Sequence, residues 1–272
     1  MSRAKVNDIN INYKVQGTGP ALVLIMGLGG ECGDWVLQTC VFKKCFRVVT
    51  FDNRGVGKTD KPSEPYSIKT MADDVIGLMD ALDIECSNVL GVSMGGMIAQ
   101  EIAINYPHRV KKLILVCTTP GKGEESGHSA ELLRAMGLKE DFSDEDIKRV
   151  DIDKVMSSLS SFSYGSRVLK MIAVPFCRVR MKLFGIDGLR GQFEAAMRHS
   201  TLSRLDEIKA PTLVMAGTED RIVPPRFAEV LAQRIPNARL VMIEEGSHTL
   251  IAEKRSRFNR EVLDFLQDKK SV

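Results

Sequence analysis

The 272-residue chain lacks an excess of charge of either sign: 38 Lys and Arg stand against 35 Asp and Glu, a net of +3. That balance excludes a dominant basic face of the kind that drives non-specific nucleic-acid binding, so no nucleic-acid partner is expected. No apolar run approaches the ~18 residues of a membrane span. Met1 to Asn12 carries polar groups throughout and has no signal-peptide-like apolar stretch, so a cytoplasmic protein is expected. Among Cys32, Cys40, Cys45, Cys86, Cys117 and Cys177 there is no C-x-x-C pair. Cys40 and Cys45 are spaced for neither zinc nor redox work. Several of these thiols sit in apolar runs and are expected to be reduced and buried, as small hydrophobes. Internal repeats and low-complexity segments are also lacking, and no motif asks for a metal or cofactor.

What the chain does have is bulk and a regular rhythm. Folding a chain of 30.1 kDa takes roughly 44,000 Å² of surface down to about 12,000 Å², enough for a core without disulfides. Apolar residues at 44% and charged residues at 27% are those of an ordinary globular protein. Ala4 to Val6 and Ile9 to Val15 flank Asn7-Asp8 as a hairpin. Apolar, β-branched runs then recur at Ala21 to Met26, Phe46 to Phe51, Asn88 to Val92, Leu113 to Cys117, Pro211 to Ala216 and Arg239 to Ile243. Such runs suit strands buried on both faces of a parallel sheet. Between them, Met71, Val75, Leu78, Met79 and Leu82 repeat at helical spacing with Thr70 placed to cap the start. Met94 to Tyr106 and Phe258 to Leu266 read as two further helices. The alternation predicts an α/β fold: a mostly parallel twisted sheet with helices on both faces.

From Gly121 to about Arg204 the rhythm breaks. No strand-like run is convincing there, and Ser143-Asp144-Glu145-Asp146 resembles a capping box. Phe142, Phe162, Phe176, Phe184, Phe193 and Tyr164 cluster in this stretch. It reads as a helical insertion over the end of the sheet, dividing the chain into 1–120 and 205–272 of the core around 121–204. Arg178, Arg180 and Lys182 alternate with apolar residues there, and a solvated helix face explains them better than an anion site.

Two glycine-rich stretches fail as nucleotide sites. Gly57-Lys58-Thr59 mimics the end of a phosphate-binding loop, but the glycine required five residues earlier is Asp52, whose carboxylate repels phosphate. Gly27-Leu28-Gly29 would need glycine or alanine at Cys32 to complete a dinucleotide fingerprint.

Gly91-Val92-Ser93-Met94-Gly95 is different. It follows a strand and opens a helix, and a G-x-S-x-G in that context is a strong nucleophile signal. Its glycines suit a turn too tight for bulkier neighbours, whose strain lifts the Ser93 hydroxyl above the sheet edge. A serine hydroxyl needs a base within hydrogen-bond reach. Of the four histidines, His108 ends a helix, and His128 and His199 sit on polar stretches of the insertion. His248 lies in a loop after the strand Arg239 to Ile243, at the sheet edge where ligand sites form, and is the expected base. The loop after Leu213 to Ala216 brings Asp220, with Glu219 as its neighbour, to the same edge as the orienting acid. Cys117-Thr118-Thr119-Pro120, after the preceding strand, offers no acid. The order Ser, Asp, His along the chain is that of an α/β-hydrolase. The oxyanion hole is expected from the backbone N–H groups of Met94 and Leu28.

On these residues the sequence resembles the α/β-hydrolases, in particular the non-haem bromoperoxidase-like and enol-lactonase-like enzymes, over nearly its whole length. Asp52-Asn53-Arg54-Gly55-Val56-Gly57 matches the family's D-x-R-G-x-G turn, and Gly217 to Pro224 its G-x-x-D-x-x-V-P segment. The insertion matches its helical cap. The resemblance implies a serine hydrolase that cleaves an ester-like bond (carboxylic ester, lactone or thioester) of a small, fairly apolar molecule. Asp220 takes the family's acid position, and Phe176 and Phe193 are candidate substrate contacts. The alternatives on the same triad are C–C bond hydrolysis, a menaquinone-pathway-type lyase step and perhydrolysis, or a ligand-binding receptor with little turnover. Two departures stand out: Met26-Gly27 replaces the usual His-Gly, and Ser247 replaces the usual glycine before the histidine. The sequence leaves the oligomeric state open.

Overall fold

The computed structural model describes residues 2–122, 129–163 and 187–269. Eight strands, β1 (Ser2–Val6), β2 (Ile9–Gln16), β3 (Ala21–Ile25), β4 (Arg47–Phe51), β5 (Ser87–Val92), β6 (Val110–Val116), β7 (Thr212–Gly217) and β8 (Ala238–Ile243), form one sheet. Their order is β1-β2-β4-β3-β5-β6-β7-β8. The N-terminal hairpin pairs antiparallel internally and with β4, and every other pairing is parallel.

Side-chain alternation explains why helices cover both faces. Along β3, Val23 and Ile25 pack with Met71 and Val75 of the helix Ile68–Ala81 and with Ile98 and Ile102 of the helix Met94–Asn105. Leu22 and Leu24 point the other way, against Trp35, Phe42 and Phe258. Both faces of the central strands are thus dry, as their continuous apolar runs require. From β3 the chain moves to β4 on one side and then crosses to β5 on the other. The carboxyl ends of β3 and β5 therefore flank a topological switch point, the crevice where open α/β sheets bind ligands.

Between β6 and β7 lie the helices Ala130–Met136, Asp144–Arg149, Ile152–Ser163 and Asp187–Arg198. Their apolar residues, including Leu132, Leu133, Phe142, Val155 and Phe193, form a third cluster with Val56, Ile222, Val223 and Phe227 of the core. Ser143 caps its helix with Asp146 reaching back, the capping box expected there.

The structure corrects two expectations and adds two helices. Ser67, not Thr70, caps the helix Ile68–Ala81; Thr70 is its third residue and bonds back to Ser67. Val36–Phe42 and Arg226–Arg234 are helices that the hydrophobic pattern did not reveal. Cys32 and Cys117 are buried, but Cys40, Cys45 and Cys86 are exposed, because they lie on the solvent side of a helix or in connections rather than inside strands. Cys177 lies outside the described residues. No described helix is long and apolar enough to cross a membrane.

Candidate active site

Ser93 follows β5 directly and has φ +55° and ψ −123°, a strained conformation for a residue with a side chain. The turn closes so tightly that a Cβ on Gly91 would come within 2.1 Å of the Gly95 carbonyl oxygen, and one on Gly95 within 2.2 Å of that of Ile25. The backbone is pinned from both sides. Ser93 N–H donates to the Val116 carbonyl at 2.9 Å, and the Thr118 hydroxyl donates to the Ser93 carbonyl at 2.7 Å. The hydroxyl is thereby held half-exposed at the switch point.

The loop after β8 carries His248 to that point, and the loop after β7 carries Asp220. His248 Nε2 is 3.1 Å from Ser93 Oγ, and His248 Nδ1 is 2.8 Å from Asp220 Oδ2. Because an ionised carboxylate only accepts, Nδ1 bears the proton, and Nε2 is left as an acceptor facing the serine. The other oxygen, Asp220 Oδ1, accepts from the N–H groups of Ile222 and Val223, each at 2.9 Å. The Asp220 side chain has no exposed surface. Glu219 is exposed and turned away. The loop is not extended: Thr218 and Glu219 form a turn in which Asp220 N–H donates to the Gly217 carbonyl at 3.2 Å, and it is Asp220 rather than Glu219 that reaches the imidazole.

The remaining histidines stay apart. His108 is exposed, and His128 lies outside the described residues. His199, expected on a polar stretch, is instead buried at the root of the insertion, where Lys122 N–H donates to its carbonyl at 2.7 Å. Burial, reinforced by the Arg204 cation, pulls its imidazole down to about 3. Glu101 lies 3.6 Å from His199 Nδ1, and its carboxylate accepts from Arg204 at 2.8 Å.

The loop Met26–Gly30 passes beside Ser93, so closely that a Cβ on Gly27 would lie 3.1 Å from that of the serine. Asn53 Nδ2 donates to the Met26 carbonyl at 2.8 Å, and Gly29 N–H donates to Gln192 Oε1 at 2.9 Å. Gln192 Nε2 in turn donates to the Arg54 carbonyl at 2.8 Å. Gln192 is fully buried and braces the loop against the turn that follows β4. Sequence reasoning missed it, since a glutamine in a polar helix carries no local signal. Met94 opens its helix, and the first N–H groups of a helix have no intrahelical acceptor. Asp52, the residue that spoiled the phosphate-loop reading, accepts from Cys32 N–H, Asn12 Nδ2 and Lys58 N–H. Its carboxylate occupies the turn itself.

Ser93 and His248 open onto a cavity of about 340 Å³. Among the described residues, six methionines line it: Met26, Met94, Met97, Met136, Met156 and Met197. Leu28 and Phe193 also line it, and Phe193 is 2% exposed. Phe176 lies outside the described residues, as do Phe184, Tyr164, Arg178, Arg180 and Lys182. Among the described residues, Cys117, Asp220 and His248 are the one grouping of three side chains with metal-binding atoms close together, within 4.8 Å. Its carboxylate and imidazole are bonded to each other, and burial, together with the Asp220 charge, pushes the Cys117 thiol up.

Comparison with known proteins agrees with this architecture. The chain is 28% identical to a protein of Azorhizobium caulinodans named carbamate hydrolase RutD, over 97% of this chain and 98% of that one. It is 29% identical to one of Mycobacterium tuberculosis named non-heme bromoperoxidase BpoC, over 97% of this chain and 100% of that one. The enol-lactonase of Burkholderia xenovorans LB400 superposes with a TM-score of 0.83 at 27% identity, covering 98% of this chain and 100% of that one. Residues 20–255 match the family described as alpha/beta hydrolase fold. With its switch-point serine and mostly parallel eight-stranded sheet, the chain belongs to the α/β-hydrolase fold family and is a hydrolase.

Proposed function

We propose that the protein is a serine hydrolase that cleaves an ester-like bond, in a carboxylic ester, lactone or thioester, of a small and fairly apolar molecule. One observation carries the reading: Ser93, His248 and Asp220 are linked by contacts of 3.1 and 2.8 Å at the wall of an apolar cavity. Ser93 Oγ attacks the substrate carbonyl while His248 Nε2 takes its proton. Asp220 holds the Nδ1 proton and stabilises the imidazolium that forms. The N–H groups of Leu28 and Met94 receive the oxyanion. Collapse of the tetrahedral intermediate expels the leaving group, which takes the proton from His248. A water molecule, deprotonated by the same nitrogen, then releases the acyl group from Ser93.

The described helices of the insertion 121–204 act as a cap over this cavity. Met136, Met156 and Met197 of this insertion line the cavity; unbranched and adaptable, they suit acyl or ring groups of varied shape, and Phe193 serves as a substrate contact. Turnover of a panel of aryl esters, lactones, thioesters and carbamates by the wild-type enzyme, with Ser93→Ala as the control, tests the proposal. It requires hydrolysis of at least one ester-like class that disappears in the variant. Carbamate turnover alone, or cleavage of a vinylogous diketone alone, would assign the same triad to a different bond.

A further inference from the structure

The loop that carries His248 is fastened to a helix far away in sequence. Ser163 belongs to the helix Ile152–Ser163. Three donors from the histidine loop converge on its carbonyl oxygen. Ser247 Oγ lies 2.8 Å from it, Thr249 Oγ1 3.1 Å, and Thr249 N–H donates at 3.3 Å. Ser247 and Thr249 flank His248 directly. Ser247 is 1% exposed, so its hydroxyl is committed to this junction rather than to solvent. That hydroxyl also meets the Glu253 carboxylate. It also lies 3.1 Å from Thr249 Oγ1, and with one proton for three oxygens it leaves Thr249 to hold Ser163 whenever it turns to Glu253. Ser163, His248 and Thr249 all line the cavity, so the junction lies where a substrate arrives.

We propose that Ser247 and Thr249 are positioning residues that align His248 on Ser93 by seating its loop on the Ser163 carbonyl. The inference rests on the reading of His248 as the base. The imidazole is held by Asp220 from behind, but its loop has no regular secondary structure until the helix Leu250–Glu253 begins. Anchoring both neighbours to one oxygen removes the freedom that would let the ring swing off the serine. It also makes the alignment depend on where the helix Ile152–Ser163 sits, so a bound molecule that shifts this helix alters the reactivity of Ser93.

The test compares wild type with Ser247→Ala/Thr249→Val, the conservative pair Ser247→Thr/Thr249→Ser, and the single variant Ser247→Gly, which puts the smallest residue in the loop. Two readouts apply: the rate at which a small fluorophosphonate labels Ser93, and the downfield proton resonance of His248 Nδ1–H. A misplacement on the order of 1 Å can cost 10²-fold in rate. Labelling is therefore expected to slow at least about tenfold in the double variant and less in Ser247→Gly. The resonance should broaden through faster solvent exchange, and the conservative pair should restore both. If labelling and resonance stay at wild-type values while only the melting temperature falls, the anchor is merely structural and the inference is overturned. Failure of wild-type Ser93 to react at all would overturn the catalytic reading, and this inference with it.

Discussion

Replacing Asp220 by Asn separates charge from shape. Asp220 Oδ1 accepts two backbone N–H groups, from Ile222 and Val223. An asparagine in the same place must present its carbonyl oxygen to those donors, because its NH₂ group would face them without an acceptor. That fixes the NH₂ towards His248 Nδ1, where it donates instead of accepting. The imidazole is then forced into the tautomer with its proton on Nε2, pointing at Ser93 Oγ, and it cannot take the serine proton. A wrong tautomer with otherwise intact geometry costs ~10⁴ in kcat, or about 5 kcal/mol of transition-state stabilisation. The expected loss for Asp220→Asn on an aryl ester is therefore ~10³–10⁴ in kcat. Glu219→Gln, on an exposed side chain, should lose less than about tenfold, within the range of surface substitutions. Steady-state kinetics of the two variants, with circular dichroism to verify folding, decide the matter. A larger loss in Glu219→Gln would transfer the acid role, and equally large losses in both would show that the loop, rather than one carboxylate, is what the reaction needs.

Two further outcomes follow from the buried groups. Phe193→Ala opens the cavity wall, so kcat/KM should move towards longer acyl chains, at up to about 0.8 kcal/mol for each additional buried methylene, while stability falls by ~3–5 kcal/mol; an ester series from acetate to octanoate reads the shift, and an unchanged chain-length ranking would remove Phe193 from the substrate wall. His199 is held neutral in the folded protein down to about pH 3, whereas in the unfolded chain it takes a proton near its ordinary 6.5, so its burial costs stability as pH falls between those values by up to ~1.4 kcal/mol per pH unit. Urea unfolding at pH 7 and pH 4.5 should show a steeper loss for wild type than for His199→Gln, and equal slopes would contradict the assignment.

The sheet was legible because its parallel strands are buried on both faces, which writes them as unbroken apolar runs such as Leu22-Val23-Leu24-Ile25 and Val89-Leu90. The helices Val36–Phe42 and Arg226–Arg234 were not. The first is a mixture of β-branched and polar residues without a clear stripe, and the second follows Pro224-Pro225, which reads as loop. Ser93, Asp220 and His248 could be named because each follows a strand at one edge of the sheet. The supporting contacts could not be. Gly29 meets Gln192 across 163 positions and Ser247 meets Ser163 across 84, and only packing of the insertion on the core creates them. Exposure of Cys40, Cys45 and Cys86 was misjudged for a related reason, since neighbouring apolar residues do not say which side of a helix or connection a thiol takes.

The central claim is that one serine, and no other, is activated. Incubation of the native protein with an organophosphonate ester, followed by digestion and mass spectrometry, tests it directly. The account predicts a single covalent adduct on Ser93, absent when Ser93→Ala or His248→Gln protein is treated identically. An adduct on a different serine, or equal labelling of the His248→Gln protein, would contradict it.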